Sequence, residues 1–328
     1  MNIGLIGYLG WGNYGDELFK DVYINISSDS DIKMSNINKM IKDPYFEDED
    51  IKIYDAFIIV GGDILNPGYI SNLYWSEKIF NLNKPILIYN LGYPNWIKEN
   101  DDILNKYKFF LNNVNVKRIH CRDSECKEFI IKKISNEKEI LTTTDITVSL
   151  FEEEPKSENI ICFNFRCPYT FEYDYSKVLE LSHDLKSSYK IKILVAGVGK
   201  IGDDDKLEAT KLKKLLDDNN IENELIIPEK IDEISDFLKK CSIIITNKFH
   251  VFVVGSVLGK KTISTSGNNK FVNFAKFFNI SNYLIPISII DKKIENLESN
   301  FNRQILKEEC QKITKMIKED ISYLKNII

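Results

Sequence analysis

The sequence predicts an α/β chain made of two doubly wound, Rossmann-like domains facing across a cleft. Short β-branched runs alternate with helical patterns along its whole length, the signature of parallel sheets with crossover helices. An acidic, proline-broken stretch, Phe151 to Glu158, lies near the middle, and the alternation starts afresh after it. The chain has 328 residues, long for one α/β domain and comfortable for two.

In the first half the strands read as Ile3–Ile6, Ala56–Val60, Ile86–Asn90, Val116–His120 and Ile140–Thr142. Helical patterns follow at 15–26, 71–80, 101–112 and 123–134. In the second half Ile160–Phe165, Ile191–Ala196, Glu224–Ile227, Ser242–Thr246 and Thr262–Thr265 read as strands. Helices fill 174–187, 205–219, 231–240, 249–258 and 268–278. The expected domains are therefore 1–152 and 159–300, followed by a lysine-rich amphipathic helix over 301–328. That helix reads either as a packing helix with a wet face or as a peripheral membrane foot.

Composition narrows the function. Hydrophobic residues make up 43% and charged residues 28%, enough for a sizeable core and a solvated surface. The net charge of −5 argues against a general nucleic-acid binder, which needs a basic footprint on phosphates. Six scattered cysteines form no CxxC pair and have no histidine completing a zinc set, so buried free thiols and no metal are expected. The start, Met1 to Gly7, has no basic region and runs straight into a strand, and no apolar run approaches membrane-spanning length. A cytoplasmic protein is expected, with the inner face of the membrane as a peripheral alternative. Only four arginines occur (Arg118, Arg122, Arg166, Arg303) in a lysine-rich chain that suggests a low-GC bacterial genome. An arginine kept in that background is favoured for its planar fork of donors.

Six segments carry candidate chemistry, all at the ends of strands. Gly7 to Glu17 (GYLGWGNYGDE) follows the first strand, and its four glycines allow close backbone approach to a ligand. Gly10, Gly12, Asn13, Gly15 and Asp16 are its candidate residues; a tight turn capped by Asn13 or Asp16 is the plain alternative. Val60-Gly61-Gly62-Asp63 closes an apolar strand, where Asp63 suits a sugar hydroxyl or simply a turn. In His120-Cys121-Arg122-Asp123, Asp123 is a natural N-cap and Arg122 faces the cleft mouth. Asn164-Phe165-Arg166 offers an arginine from the second domain, for which an inter-domain salt bridge is the competing account. Thr246-Asn247-Lys248-Phe249-His250 is the most informative. It places a cation and one of only three histidines at a helix start, which suits an anionic substrate that needs a proton donor. A satisfied core or capping histidine is the alternative. Gly267-Asn268-Asn269-Lys270 opens another helix, with Lys270 either on a phosphate or solvated.

Taken together, these segments resemble the polysaccharide pyruvyltransferase family. Gly7 to Glu17 matches the family's GYxGxGNxGDE-like opening, and Arg122-Asp123, Arg166, Lys248-Phe249-His250 and Lys270 keep the order of its later motifs. Three departures stand out. Asp63 replaces the third glycine of a GGG element, Leu91-Gly92-Tyr93-Pro94 is a spread version of a GP pair, and Lys248 stands where arginine is usual. The resemblance implies a GT-B-like fold and transfer of the carboxyvinyl unit of phosphoenolpyruvate onto two sugar hydroxyls as a cyclic ketal. It implies a donor side in 159–300 and an acceptor side in 1–152. Arg166, Lys248, Phe249, Arg122 and Lys270 become donor contacts, and His250 the general acid. No cofactor is implied beyond phosphoenolpyruvate as co-substrate, and the acceptor is a sugar or lipid-linked oligosaccharide. Two other readings compete: a glycosyltransferase of the same architecture using a nucleotide sugar, with Glu229 or Asp232 to argue for ribose, and a non-catalytic sugar-binding assembly protein.

Overall fold

The computed structural model describes residues 1–26, 32–37, 51–134, 138–151, 154–166, 173–298 and 301–328, with 200–204 described by backbone alone. The chain divides into two compact units. The first comprises Met1–Gly10, Leu18–Ser149 and Glu308–Ile328; the second comprises Trp11–Glu17 and Leu150–Lys307.

The first unit is a six-stranded, all-parallel sheet made of β1 (Asn2–Ile6), β2 (Lys33–Asn36), β3 (Ala56–Val60), β4 (Ile86–Leu91), β5 (Val116–Cys121) and β6 (Ile140–Thr142). Its order is β2-β1-β3-β4-β5-β6, with Ile3 opposite Ala56 and Phe57 opposite Ile86. Every residue of β3 and β4 is buried, as expected of parallel strands covered on both faces. The order reverses between β1 and β3, so the segments leaving those two strands flank a topological switch point.

The second unit repeats the scheme with β7 (Ile160–Asn164), β8 (Lys190–Leu194), β9 (Asn223–Ile226), β10 (Ile243–Thr246) and β11 (Lys261–Ser264) in the order β11-β10-β7-β8-β9. Here the switch point lies between β7 and β10, which lead into Arg166 and Lys248 respectively.

Among the described residues, the helices are α1 (Tyr14–Ile26), α2 (Glu77–Phe80), α3 (Asp101–Leu111), α4 (Ser124–Lys133), α5 (Ser176–Leu185), α6 (Gly199–Asp218), α7 (Ile231–Lys240), α8 (Phe249–Val257), α9 (Asn269–Phe277) and α10 (Arg303–Ile327). Three elements depart from the sequence reading. The half-exposed strand β2 has no β-branched residue and gives no alternation to read. The helix expected over 71–80 shrinks to α2, because Ser71 O accepts from the backbone of Tyr74 and Trp75 in a turn. Trp75 is anchored there by Nε1–H to Ile64 O at 3.1 Å and an edge-on contact with Tyr107. Helix α6 begins at Gly199, six residues before the expected start; the carbonyl of Gly12 accepts from Val198 N at 2.8 Å just ahead of it.

The last helix is counted with the first unit from Glu308 onward. Its Asp320 is fully buried and accepts from Tyr89, from Arg118 and from His120 Nε2, the last at 2.7 Å. His120 stacks on Tyr89, and Ile313, Ile317 and Leu324 are buried on the same helix. Burial alone raises the Asp320 pKa, but the bonds from His120, Tyr89 and Arg118 prevail and hold it below the ordinary carboxylate value. Among the described residues no helix is long and apolar enough to cross a membrane. Cys121, Cys126, Cys162, Cys241 and Cys310 are buried free thiols; burial and a neighbouring thiol push Cys126 and Cys162 well up. Cys167 lies outside the described residues, as do Glu152 and Glu153 of the expected linker. Lys260 Nζ binds Pro155 O and Ser157 Oγ of that segment, both at 2.8 Å.

Candidate functional site

The candidate residues fall into two groups, one in each unit. Gly10, Asp63, Arg122 and Asp123 belong to the first. Gly12, Asn13, Gly15, Asp16, Arg166, Lys248, Phe249, His250 and Lys270 belong to the second.

In the first unit the Arg122 guanidinium is almost fully buried and lies against two glycines. A Cβ at Gly62 would sit 2.7 Å from its Nη1, and one at Gly92 would sit 2.5 Å from its Nη2. Arg122 Nη2 donates to Asp63 Oδ1 at 2.6 Å. Burial disfavours the charge, but Asp63, Asp123 and Asp145 together outweigh it and raise the guanidinium pKa above its ordinary value. Asp63, which departs from an all-glycine element, is therefore the counter-ion of Arg122. Asp123 caps α4 by accepting from Cys126 N at 2.9 Å. Gly10, with φ +79°, makes the turn that brings Asn36 Nδ2 to Leu9 O at 2.9 Å.

In the second unit the loop Trp11–Glu17 lies along the segment after β8. Asn13 bridges to Gly197, and Gly12 (φ +84°) has no room for a side chain, since a Cβ would come 2.2 Å from Val198 O. Asn13 opens α1: its carbonyl accepts from Glu17 N at 3.0 Å, while Glu17 Oε1 accepts from Gly12 N at 3.0 Å. Tyr14 Oη lies 2.8 Å from Ser235 Oγ. Gly15 is required for a different reason: a Cβ there would fall 1.7 Å from His250 Nδ1, so the imidazole occupies the space a side chain would need.

Asp16 follows directly. Burial pushes its carboxyl pKa up to about 6, while His250, Lys248 and Lys270 pull it down and Glu17 adds to the rise. Lys248 precedes α8, with its backbone N–H bonded to Thr246 Oγ1 at 2.9 Å. Its ammonium donates to Ala196 O at 2.6 Å and to Asp205 Oδ2 at 2.5 Å. Burial lowers the Lys248 pKa despite the opposing charge of Asp205. Phe249 is buried, edge-on to His250 and Phe271, and Lys270 Nζ lies 5.6 Å from the centre of its ring. Arg166 is exposed, with its backbone fixed to the next strand end: Arg166 N donates to Asn247 Oδ1 at 2.7 Å, and Asn247 also bonds Tyr173 Oη. Beneath, Thr246 Oγ1 donates to Asn164 Oδ1 at 2.8 Å, tying β10 to β7 across the switch point.

This group can receive an anion and move a proton. It offers cations on three strand-end segments, a histidine, and a carboxyl that burial pushes up to about 6. Sequence reasoning missed Asp205, whose only signal was the run Asp203-Asp204-Asp205 at what read as a helix start. It also missed that Asn164, Thr246 and Asn247, which lie in two of the candidate segments, bond one another and Tyr173. Among the described residues no group of three or more His, Cys, Asp or Glu side chains is placed to hold a metal ion.

The sequence profile described as polysaccharide pyruvyl transferase matches residues 4–269, most of the chain and every candidate residue but Lys270. The chain belongs to the polysaccharide pyruvyl transferase family. No curated protein sequence matches it. Among solved structures it is similar to S. aureus MnaA with UDP, at 10% identity and a TM-score of 0.66 over 100% of this chain and 97% of that one. A UDP-N-acetylglucosamine 2-epimerase from Rickettsia bellii aligns at 10% identity and 0.59, over 99% and 97%. A putative epimerase of the same kind from Listeria monocytogenes aligns at 11% and 0.54, over 95% and 90%. At these identities the likeness is one of fold. This pyruvyl transferase family member thus has the two parallel α/β sheets of a GT-B-like chain, and the family match makes it a transferase of polysaccharide biosynthesis.

Proposed function

We propose that the chain transfers the carboxyvinyl unit of phosphoenolpyruvate onto two hydroxyls of a sugar, forming a cyclic pyruvate ketal in a cell-surface polysaccharide. The observation that carries this reading is His250 seated on Gly15 beside Asp16, Lys248 and Lys270 at the second unit's switch point. Phosphoenolpyruvate presents a phosphate and a carboxylate, and Arg166, Lys248, Lys270 and the N-terminus of α8 are suited to both.

His250, as imidazolium, protonates the methylene carbon, and a sugar hydroxyl attacks the adjacent carbon while giving its proton back to the imidazole. Phosphate then leaves, stabilised by the fixed cations, and the second hydroxyl closes the ring, its proton passing to the departing phosphate. The scheme uses no cofactor besides the co-substrate. The second unit takes the donor in this proposal, and the first takes the acceptor, a sugar or lipid-linked oligosaccharide presented in the cytoplasm or at the membrane's inner face. Arg122, already paired with Asp63, then shapes the strand ends of the acceptor unit.

Release of phosphate from phosphoenolpyruvate in the presence of acceptor tests the assignment. His250→Ala should lower turnover by about 10²–10⁴-fold while donor binding persists. Near-normal turnover in that variant contradicts it.

A further inference from the structure

We propose that Asp205 is a positioning residue for the anionic donor: it keeps the Lys248 ammonium charged and fixed, so that Lys248 offers the donor one directed N–H. The inference rests on the donor reading above and adds to it a residue that no motif marks.

An ammonium has three donors. Lys248 spends one on Ala196 O, at the end of β8, and one on Asp205 Oδ2, on α6, at 2.6 and 2.5 Å. Two anchors from different elements hold the nitrogen at the end of an otherwise flexible stem, and among the described residues no third acceptor meets it, which leaves one N–H to a ligand. The pair is desolvated, with the Asp205 side chain 2% exposed and that of Lys248 12%. In such a place an amine without a counter-charge gives up its proton, because burial penalises the charged form. Burial and Arg166 both push Lys248 that way, while Asp205, and more weakly Asp16, oppose them. Removing Asp205 takes away the largest contribution that opposes burial and so lowers the Lys248 pKa further, toward the range in which the amine offers an anion no charge.

The choice of lysine matters. An arginine in this position would stay charged without help, whereas a lysine shifts readily when buried. A buried carboxylate beside an anion-binding cation would otherwise be a liability, since it opposes the ligand's own charge. It is useful here only because the cation it serves can lose its proton.

The test is calorimetry of phosphoenolpyruvate with the full chain between pH 6 and 9, for the wild type, Asp205→Asn, Asp205→Glu, Lys248→Arg and the double variant Lys248→Arg/Asp205→Asn. Comparison at each pH cancels the ionisation of the ligand itself. In Asp205→Asn the loss of affinity with rising pH should begin about one unit or more below its onset in the wild type. At the upper end affinity should be about tenfold weaker, the worth of one charge-assisted contact. Asp205→Glu should recover most of the wild-type profile. In the Lys248→Arg background, Asp205→Asn should add no pH dependence, because guanidinium does not titrate there.

A ¹³C-lysine titration of the same proteins, with the Lys248 signal assigned from Lys248→Arg, reads the proton without any ligand. Its midpoint should fall in Asp205→Asn. Damage to folding would lower the competent fraction equally at every pH and would leave that midpoint in place. If the wild type binds donor and Asp205→Asn shows the same pH profile and midpoint, the inference is overturned and the donor reading stands. If the wild type binds no phosphoenolpyruvate, the donor reading fails, and the positioning role fails with it.

Discussion

Replacing Asp16 by asparagine should stabilise the protein near neutral pH and scarcely change it in acid. The folded carboxyl titrates at about 6 against 3.8 for the free group, with burial as the main cause. An acid whose folded pKa is raised ionises first in the unfolded chain, so the native state loses stability as pH rises from about 4 through 6 and then levels off. The full shift corresponds to roughly 2–3 kcal/mol above pH 7, and solvent at the half-buried carboxyl reduces this to about 1–2 kcal/mol. At roughly 2 °C per kcal/mol for a chain of this size, Asp16→Asn should melt about 2–4 °C higher at pH 8 and within about 1 °C of wild type at pH 4. Scanning calorimetry of both proteins at the two pH values is sufficient. An equal shift at both, or a loss at pH 8, refutes the argument that burial beside Lys248, Lys270 and His250 leaves this carboxyl uncompensated. A costly group kept at such a place is what a proton-handling site would require.

The remaining predictions concern neighbouring geometry. Gly15→Ala should keep its fold, because the imidazole can swing away, yet lose about 10²-fold or more in turnover as the ring moves by an ångström or more; wild-type turnover would show that the ring's seat is irrelevant. Asp320→Ala should cost about 3–5 kcal/mol in denaturant unfolding by leaving Arg118 and His120 without their shared acceptor. Because the Asp320 pKa is depressed, its contribution is present above the ordinary carboxylate value near 4 and is lost as pH falls below it, so the wild type and the variant should converge in acid.

The sequence located the strands well where both faces are buried, since Ala56–Val60 and Ile86–Asn90 are short, mostly apolar runs, the second ending one residue beyond its expected bound. It also put Arg122, Arg166, Lys248 and His250 at strand ends, because a strand followed by a helix start leaves few other places for polar residues. Its failures have physical causes. The strand Lys33–Asn36 carries no hydrophobic pattern. The tie of Trp11–Glu17 to the second unit depends on Gly12 and Asn13 meeting Val198 and Gly197, nearly two hundred residues away. Asp205 and Asp63 are ordinary acids until the fold sets each beside a buried cation. Asp320 reads in the sequence as one more charge on an amphipathic helix, yet it is fully buried and accepts from Tyr89, Arg118 and His120, and no spacing rule foretells that.

Calorimetry of the purified protein with phosphoenolpyruvate, beside UDP and inorganic phosphate, tests the central claim most directly. Binding of phosphoenolpyruvate in preference to both, weakened in Arg166→Ala, is the result expected of a pyruvyl donor site in the second unit. Binding of UDP with no response to phosphoenolpyruvate would contradict it and make the cations of that unit a nucleotide-sugar site instead.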